Sequence, residues 1–206
     1  MDDSTGISGA TLVRPTRSQP LAGLTILLVE DSRYASEAVR LICQRSGARL
    51  RRADCLRSAH RHLATYRPSL VLVDLGLPDG SGLDLVRELA GLGNHAPVVL
   101  ATSGDDPGLA EVAARTAGAH GFIAKPLQSI AAFQDLVLGY FPDRAKSGRN
   151  VVPFQSRVTP DPLAMREDIA HALDLVRDTM QGGSSETLDY CRQFLTSLAE
   201  SVGDQG

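Results

Sequence analysis

Five side chains that can act on a phosphoryl group stand in the same context, each at the carboxyl end of a short apolar run. Glu30 and Asp31 follow "LTILLV" (24–29), Asp74 follows "LVLV" (70–73), Thr102 closes "PVVLAT" (97–102), and Lys125 follows "GFIA" (121–124). If those runs lie side by side, three carboxylates, one hydroxyl and one ammonium converge. Three neighbouring carboxylates repel one another and push one another's pKa upward, so the group calls for a compensating cation. A hard divalent ion, Mg2+, suits it, because magnesium takes a few protein oxygens and keeps its other positions for water and phosphate oxygens. Lys125 by charge and Thr102 by hydrogen bond then complement a phosphoryl group. A metal beside a carboxylate free to attack describes an aspartyl-phosphate site, with Asp74 the nucleophile held at the end of a buried strand.

The elements that must position these residues follow from the rhythm of the chain. Ala35, Ala38, Val39 and Ile42 have the i, i+3, i+4, i+7 spacing of an amphipathic helix, closed by Gly47. The unit then repeats, with strands predicted at 48–53, 70–74, 97–102 and 121–124. The intervening helices are predicted at 57–66, 82–91, 108–117 and 128–140. Nearly continuous apolar strands joined by helices imply an α/β fold, a doubly wound five-stranded parallel sheet buried on both faces. Ligands of such sheets sit at the carboxyl ends of the strands, where the topology reverses.

The motifs "VEDS" (29–32), "VDLGLPDGSG" (73–82), "LATSG" (100–104) and "GAHGFIAKP" (118–126), in that order on the alternating pattern, resemble the receiver domain of bacterial two-component response regulators. The resemblance covers roughly residues 24–141. It implies a flavodoxin-like strand order of 2-1-3-4-5 and phosphoryl transfer to Asp74 from a sensor histidine kinase or phosphotransfer protein. It also implies magnesium held by Asp31, Asp74 and the carbonyl of Gly76, with Glu30 reaching it through water. Thr102 is then a phosphoryl ligand that swings on activation, Phe122 the aromatic switch that follows it, Lys125 the salt-bridge partner, and Lys125-Pro126 a cis peptide. Specificity for the kinase is expected on the first helix, Arg33 to Arg45. Such a protein is no enzyme with a separate substrate; it catalyses its own phosphorylation and dephosphorylation. Gly76 and Gly104 stand two residues past Asp74 and Thr102, where side chains often shield the phosphate, so a water-accessible phosphoryl group is expected. A haloacid-dehalogenase-like phosphatase also uses a strand-end Asp, but needs a second Asp where Gly76 stands.

The bulk composition agrees with a soluble, cytoplasmic protein: 206 residues, 43% hydrophobic, 22% charged, net charge −3. No apolar run approaches the roughly 20 residues that cross a bilayer. Cys43, Cys55 and Cys191 form no Cys-x-x-Cys pair and read as reduced thiols, and no histidine has ligand spacing. Residues 1–22 read as a flexible arm, 23–142 as the receiver, 143–162 as a linker and 163–203 as a helical hairpin. Its apolar seams are Ile169, Leu173, Val176 and Met180, then Leu188, Cys191, Leu195, Leu198 and Val202, with "GGSS" between them as helix stop and N-cap.

Residues 151–206 carry four arginines and nine carboxylates, the wrong balance for a phosphate backbone, so a DNA-binding output is disfavoured. Narrow seams suggest pairing with a second copy or a partner's helices; folding back onto the receiver is the plainer alternative. His171, in "AHAL", lacks the Lys-Gly of a phosphotransfer helix and reads as a surface residue. Asp189 and Gln193, four apart on one helical face, resemble the acid and amide pair of a helical-hairpin phosphatase acting on phosphorylated receivers.

Overall fold

The computed structural model describes residues 14–127, 129–144, 157–180 and 185–203. In chain order it runs β1 (Thr25–Val29), α1 (Arg33–Ser46), β2 (Arg49–Ala53), α2 (Leu56–Thr65) and β3 (Leu70–Asp74). A two-stranded ribbon follows, β4 (Gly76–Leu77) and β5 (Gly80–Ser81), then α3 (Gly82–Ala90), β6 (Val98–Ser103), α4 (Pro107–Ala117), β7 (Gly121–Ala124) and α5 (Ile130–Gly139). We label the last two helices α6 (Pro162–Met180) and α7 (Ser185–Gly203).

The main sheet is parallel throughout, in the order β2-β1-β3-β6-β7. Setting aside the ribbon, which the apolar pattern did not foretell, this is the expected 2-1-3-4-5. Every residue of β3 is buried, because successive side chains of a strand point to opposite faces and both faces are covered. Val71, Val73 and Val99 pack with Leu85, Val86 and Ala114 on one face; Leu70, Leu72 and Leu100 pack with Ile42, Phe133 and Val137 on the other. The edge strand β2, Arg49–Ala53, is mostly exposed, and its three arginines discourage pairing with another sheet.

Local chemistry fixes where α1 begins and ends. Ser32 caps its N-terminus by accepting from the Ala35 N–H, and Gly47, at φ 80°, closes it in the left-handed conformation that glycine tolerates.

Parts of the predicted arm and linker are packed. Leu21 is fully buried and its N–H donates to the Ser46 carbonyl (2.9 Å), while Val158 joins the α1/α5 core. Residues 1–13 and 145–156, and the "GGSS" stop and cap at 182–184, lie outside the described residues.

The hairpin differs from its expected seams. Cys191 and Leu198 are buried, but Ile169, Leu173, Met180, Leu188 and Leu195 are exposed, Met180 by 83%. The face that α6 buries carries Asp168, Ala172 and Thr179 instead. The physical reason is that α6 packs on α1 as well as on α7, and the α1 end it meets is polar. Among the described residues no helix is long and apolar enough to cross a membrane.

Candidate functional site

The sheet delivers the strand-end groups to one place. Oxygens of Glu30, Asp31 and Asp74 lie within 4.8 Å of one another. The Lys125 ammonium bridges Glu30 Oε2 (2.7 Å) and Asp74 Oδ2 (2.9 Å), and all three of those side chains are buried. Asp74 pairs in register with Thr102 across β3 and β6, so the hydroxyl-bearing residue is the immediate sheet neighbour of the carboxylate. Thr102 lines a small adjoining cavity together with Glu30, Lys125 and Pro126. Phe122 stands opposite Ala101 on β7, half-buried against the α3/α4-side core, and Lys125-Pro126 is cis.

Burial sets the electrostatics. It pushes the Glu30 carboxyl up to about 8, only partly offset by Lys125. It pushes Asp31 up to about 6, with Asp74 adding to the rise. Burial alone would lower the Lys125 pKa, but Asp74 and Glu30 outweigh it, so the ammonium stays charged. One ammonium cannot neutralise three carboxylates. The donor set, all oxygen and in excess of negative charge, fits a hard divalent cation such as magnesium.

Gly82 contributes by being small, a requirement the sequence did not flag. A Cβ there would sit 2.0 Å from the Asp74 carbonyl oxygen, so only glycine lets α3 start against the end of β3. Gly76, whose carbonyl the resemblance assigns to the metal, lies in the ribbon at the same end.

With the hairpin docked, Gly76 and Gly104 do not leave Asp74 open to water. Helix α7 fills the space: a Cβ on Gly76 would stand 2.5 Å from the Gln193 carboxamide, and one on Gly104 2.5 Å from Ser197 Cα. Gln193, Phe194, Ser197 and Leu198 line the cavity over Asp74, which amounts to about 10 Å³, room for about one water. Asp74 is 6% exposed.

Polar contacts hold the hairpin there. The Tyr190 hydroxyl donates to Asp31 Oδ2, and Gln193 Nε2 donates to Asp105 Oδ2 (2.7 Å). Asp168, 3% exposed, accepts from the Ser32 hydroxyl (2.8 Å) and from the N–H groups of Arg33 (2.9 Å) and Tyr34 (3.0 Å). A carboxylate on the unpaired N–H groups that open a helix is favoured by both hydrogen bonding and the helix dipole. Arg33 also pairs with Glu167 at an exposed position (2.7 Å).

Sequence reading passed over Asp168 and Tyr190. The signal was present in the i, i+3, i+7 spacing of Tyr190, Gln193 and Ser197, which puts one polar row on a helix facing two glycines. Of the acid and amide pair, only Gln193 reaches the cavity; Asp189 is exposed and lines a wide groove beside it.

Comparison with known proteins gives a consistent picture. The KDP operon transcriptional regulatory protein KdpE of Escherichia coli (strain K12) is 32% identical over 101 residues, 49% of this chain and 44% of that protein. The chain thus spans less than half of that relative. The CheY-like receiver domain protein of Methanospirillum hungatei JF-1 superposes with a TM-score of 0.53 at 21% identity, over 61% of this chain and 98% of that one. The receiver domain of sensor histidine kinase PA1611 from Pseudomonas aeruginosa PAO1, solved with magnesium in its active-site cleft, superposes with a TM-score of 0.53 at 24% identity, over 59% and 99%. The family model of the response regulator receiver domain matches residues 26–136, the stretch from β1 into α5. With that match over the sheet and its strand-end cluster, the chain belongs to the response regulator receiver domain family.

Proposed function

We propose that Asp74 accepts a phosphoryl group from a histidine kinase or phosphotransfer protein, in a reaction that requires magnesium. The observation that carries this reading is the buried group of Glu30, Asp31 and Asp74 with Lys125 across it. Asp31, Asp74 and the Gly76 carbonyl would hold the metal, with Glu30 beside them, and the bound ion supplies charge neutralisation for incoming phosphoryl oxygens. An Asp74 oxygen attacks phosphorus while the phosphorus–nitrogen bond to the donor imidazole breaks. Lys125, kept charged by its carboxylate partners, stabilises the product. Thr102 and Phe122 relay the change along β6 and β7. The chain is the substrate of its own chemistry, and hydrolysis of the acyl phosphate resets it.

Output passes through protein association of the hairpin rather than DNA. The acidic balance of residues 151–206 supports this, and so does the exposed apolar row of Ile169, Leu173, Met180, Leu188 and Leu195. A second copy of the chain is the partner that row fits best. A second reading, a tail phosphatase acting on a phosphorylated receiver, draws on the place of Gln193 over Asp74.

The test is incubation with magnesium and acetyl phosphate, read by intact mass and light scattering. One phosphoryl group is gained by the wild type and none by Asp74→Asn. A mass gain in Asp74→Asn equal to the wild type's defeats the assignment. A rise in molar mass in the wild type alone supports association.

A further inference from the structure

We propose that the α6–α7 hairpin is a competitive cover of the phosphorylation site: docked, it excludes the divalent cation and the phosphodonor, and occupation of the site releases it. The proposal rests on Asp74 as phosphoacceptor and adds how that site is regulated.

Three separate features carry it. Tyr190 spends its hydroxyl proton on Asp31 Oδ2, a carboxylate oxygen that belongs to the only acidic group among the described residues placed to hold a metal. A phenol donating there and a cation coordinated there compete for the same lone pairs. Next, α7 approaches the strand ends so closely that a Cβ on Gly76 would meet the Gln193 carboxamide and one on Gly104 would meet Ser197. The obstacle at Gly104 is the Ser197 backbone, which cannot rotate aside. The cavity that remains, about 10 Å³, holds roughly a water and not a phosphoryl group with its metal. Phe194 and Leu198 line that cavity beside Asp74, in space a donor imidazole would need.

The hold is built to be reversible. The latch is Asp168 on the first N–H groups of α1, and the loop it grips, residues 30–33, also carries two carboxylates of the site. Ser32 donates its own N–H to Glu30 Oε1 (3.2 Å), so latch and metal site share one short segment. A ligand that draws Glu30 and Asp31 together acts directly on the residues the latch holds. Few apolar side chains add to the dock: among the described residues the hairpin's own cluster is Ala172, Phe194 and Leu198, with Met165 and Tyr190 beside it.

Competition lowers the apparent affinity of the site by the fraction of molecules that are open, so releasing the cover raises it by the inverse of that fraction. Two variants of the full-length protein release it from opposite sides. Gly104→Ala puts a methyl against Ser197 without touching a charged group, and Asp168→Ala removes the latch. Hydrogen exchange of peptides from 162–180 and 185–203, magnesium titration by calorimetry and the rate of phosphorylation by acetyl phosphate are measured on each. Both variants should exchange faster in both helices, bind magnesium about fivefold more tightly or better, and take phosphoryl groups faster by a similar factor. Helices that loosen while magnesium affinity and phosphorylation rate stay at wild-type values overturn the proposal. So does Gln193→Ala if it slows loss of the phosphoryl group without speeding its gain, because the hairpin then works with the phosphoryl group in place. If neither wild type nor variant gains a phosphoryl group, the phosphoacceptor reading fails, and the cover stands or falls on magnesium alone.

Discussion

The sheet and helix α6 bury residues by opposite rules. Every residue of β3 is buried and four of its five are aliphatic, whereas α6 buries Asp168, Ala172 and Thr179 and leaves Leu173 59% exposed. The first is a core, stabilised by apolar area removed from water on both faces. The second is a dock, held by hydrogen bonds whose net worth is small because water offers the same bonds once the hairpin lifts. A fold that must persist and a contact that must let go are thus written in different side chains.

That contrast can be broken at several points. The largest effect is expected in the sheet: Leu72→Ala, at a fully packed position, should cost about 3 kcal/mol in urea unfolding. A loss below about 1 kcal/mol would mean that β3 is not the centre of the core. In the dock, Asp168→Ala removes a side-chain cap and should cost about 1 kcal/mol at most, while releasing α6 and α7 in hydrogen exchange. On the outward face, Leu173→Asp should change monomer stability by less than about 0.5 kcal/mol and abolish any phosphorylation-dependent rise in molar mass by light scattering. Retained association would move the partner surface elsewhere.

The site itself should make stability depend on pH. Glu30 and Asp31 are raised to about 8 and about 6 from 4.5 and 3.8. Their contribution in metal-free protein is therefore fully present below the unfolded values and is lost as pH rises through about 6 and then about 8. Magnesium reverses the slope, because it binds the deprotonated carboxylates and displaces their protons. Calorimetric affinity should accordingly increase as pH rises through that window; a flat profile would place the metal away from Glu30 and Asp31.

How far the chain could be read in advance follows the same division. Four of the five long strands were legible because apolar runs of strand length, punctuated by Gly and Pro, have no other use in this composition, and β2, with its three arginines, was legible only from its place in the alternation. The ribbon of Gly76–Leu77 and Gly80–Ser81 was not, being too short to carry a period. Glu30, Asp31, Asp74, Thr102 and Lys125 were legible through their place after those runs. The hairpin was legible as two helices, yet its orientation was misread, because counting apolar residues assigns Ile169 and Leu173 inward and overlooks an aspartate that finds helix N–H donors. Gly76 and Gly104 show the limit plainly. A glycine states that room is needed, and only the fold shows that a helix, not water, takes it.

Whether the hairpin and the occupants of the Asp74 site exclude each other can be read from hydrogen exchange of the peptide containing Tyr190, Gln193 and Ser197. The wild type and Asp74→Asn are compared with and without magnesium and acetyl phosphate. Exchange in the wild type should speed up with magnesium and speed up further once the phosphodonor is added, the second step being absent in Asp74→Asn. Protection of that peptide that stays unchanged, or deepens, while Asp74 is phosphorylated would contradict that exclusion.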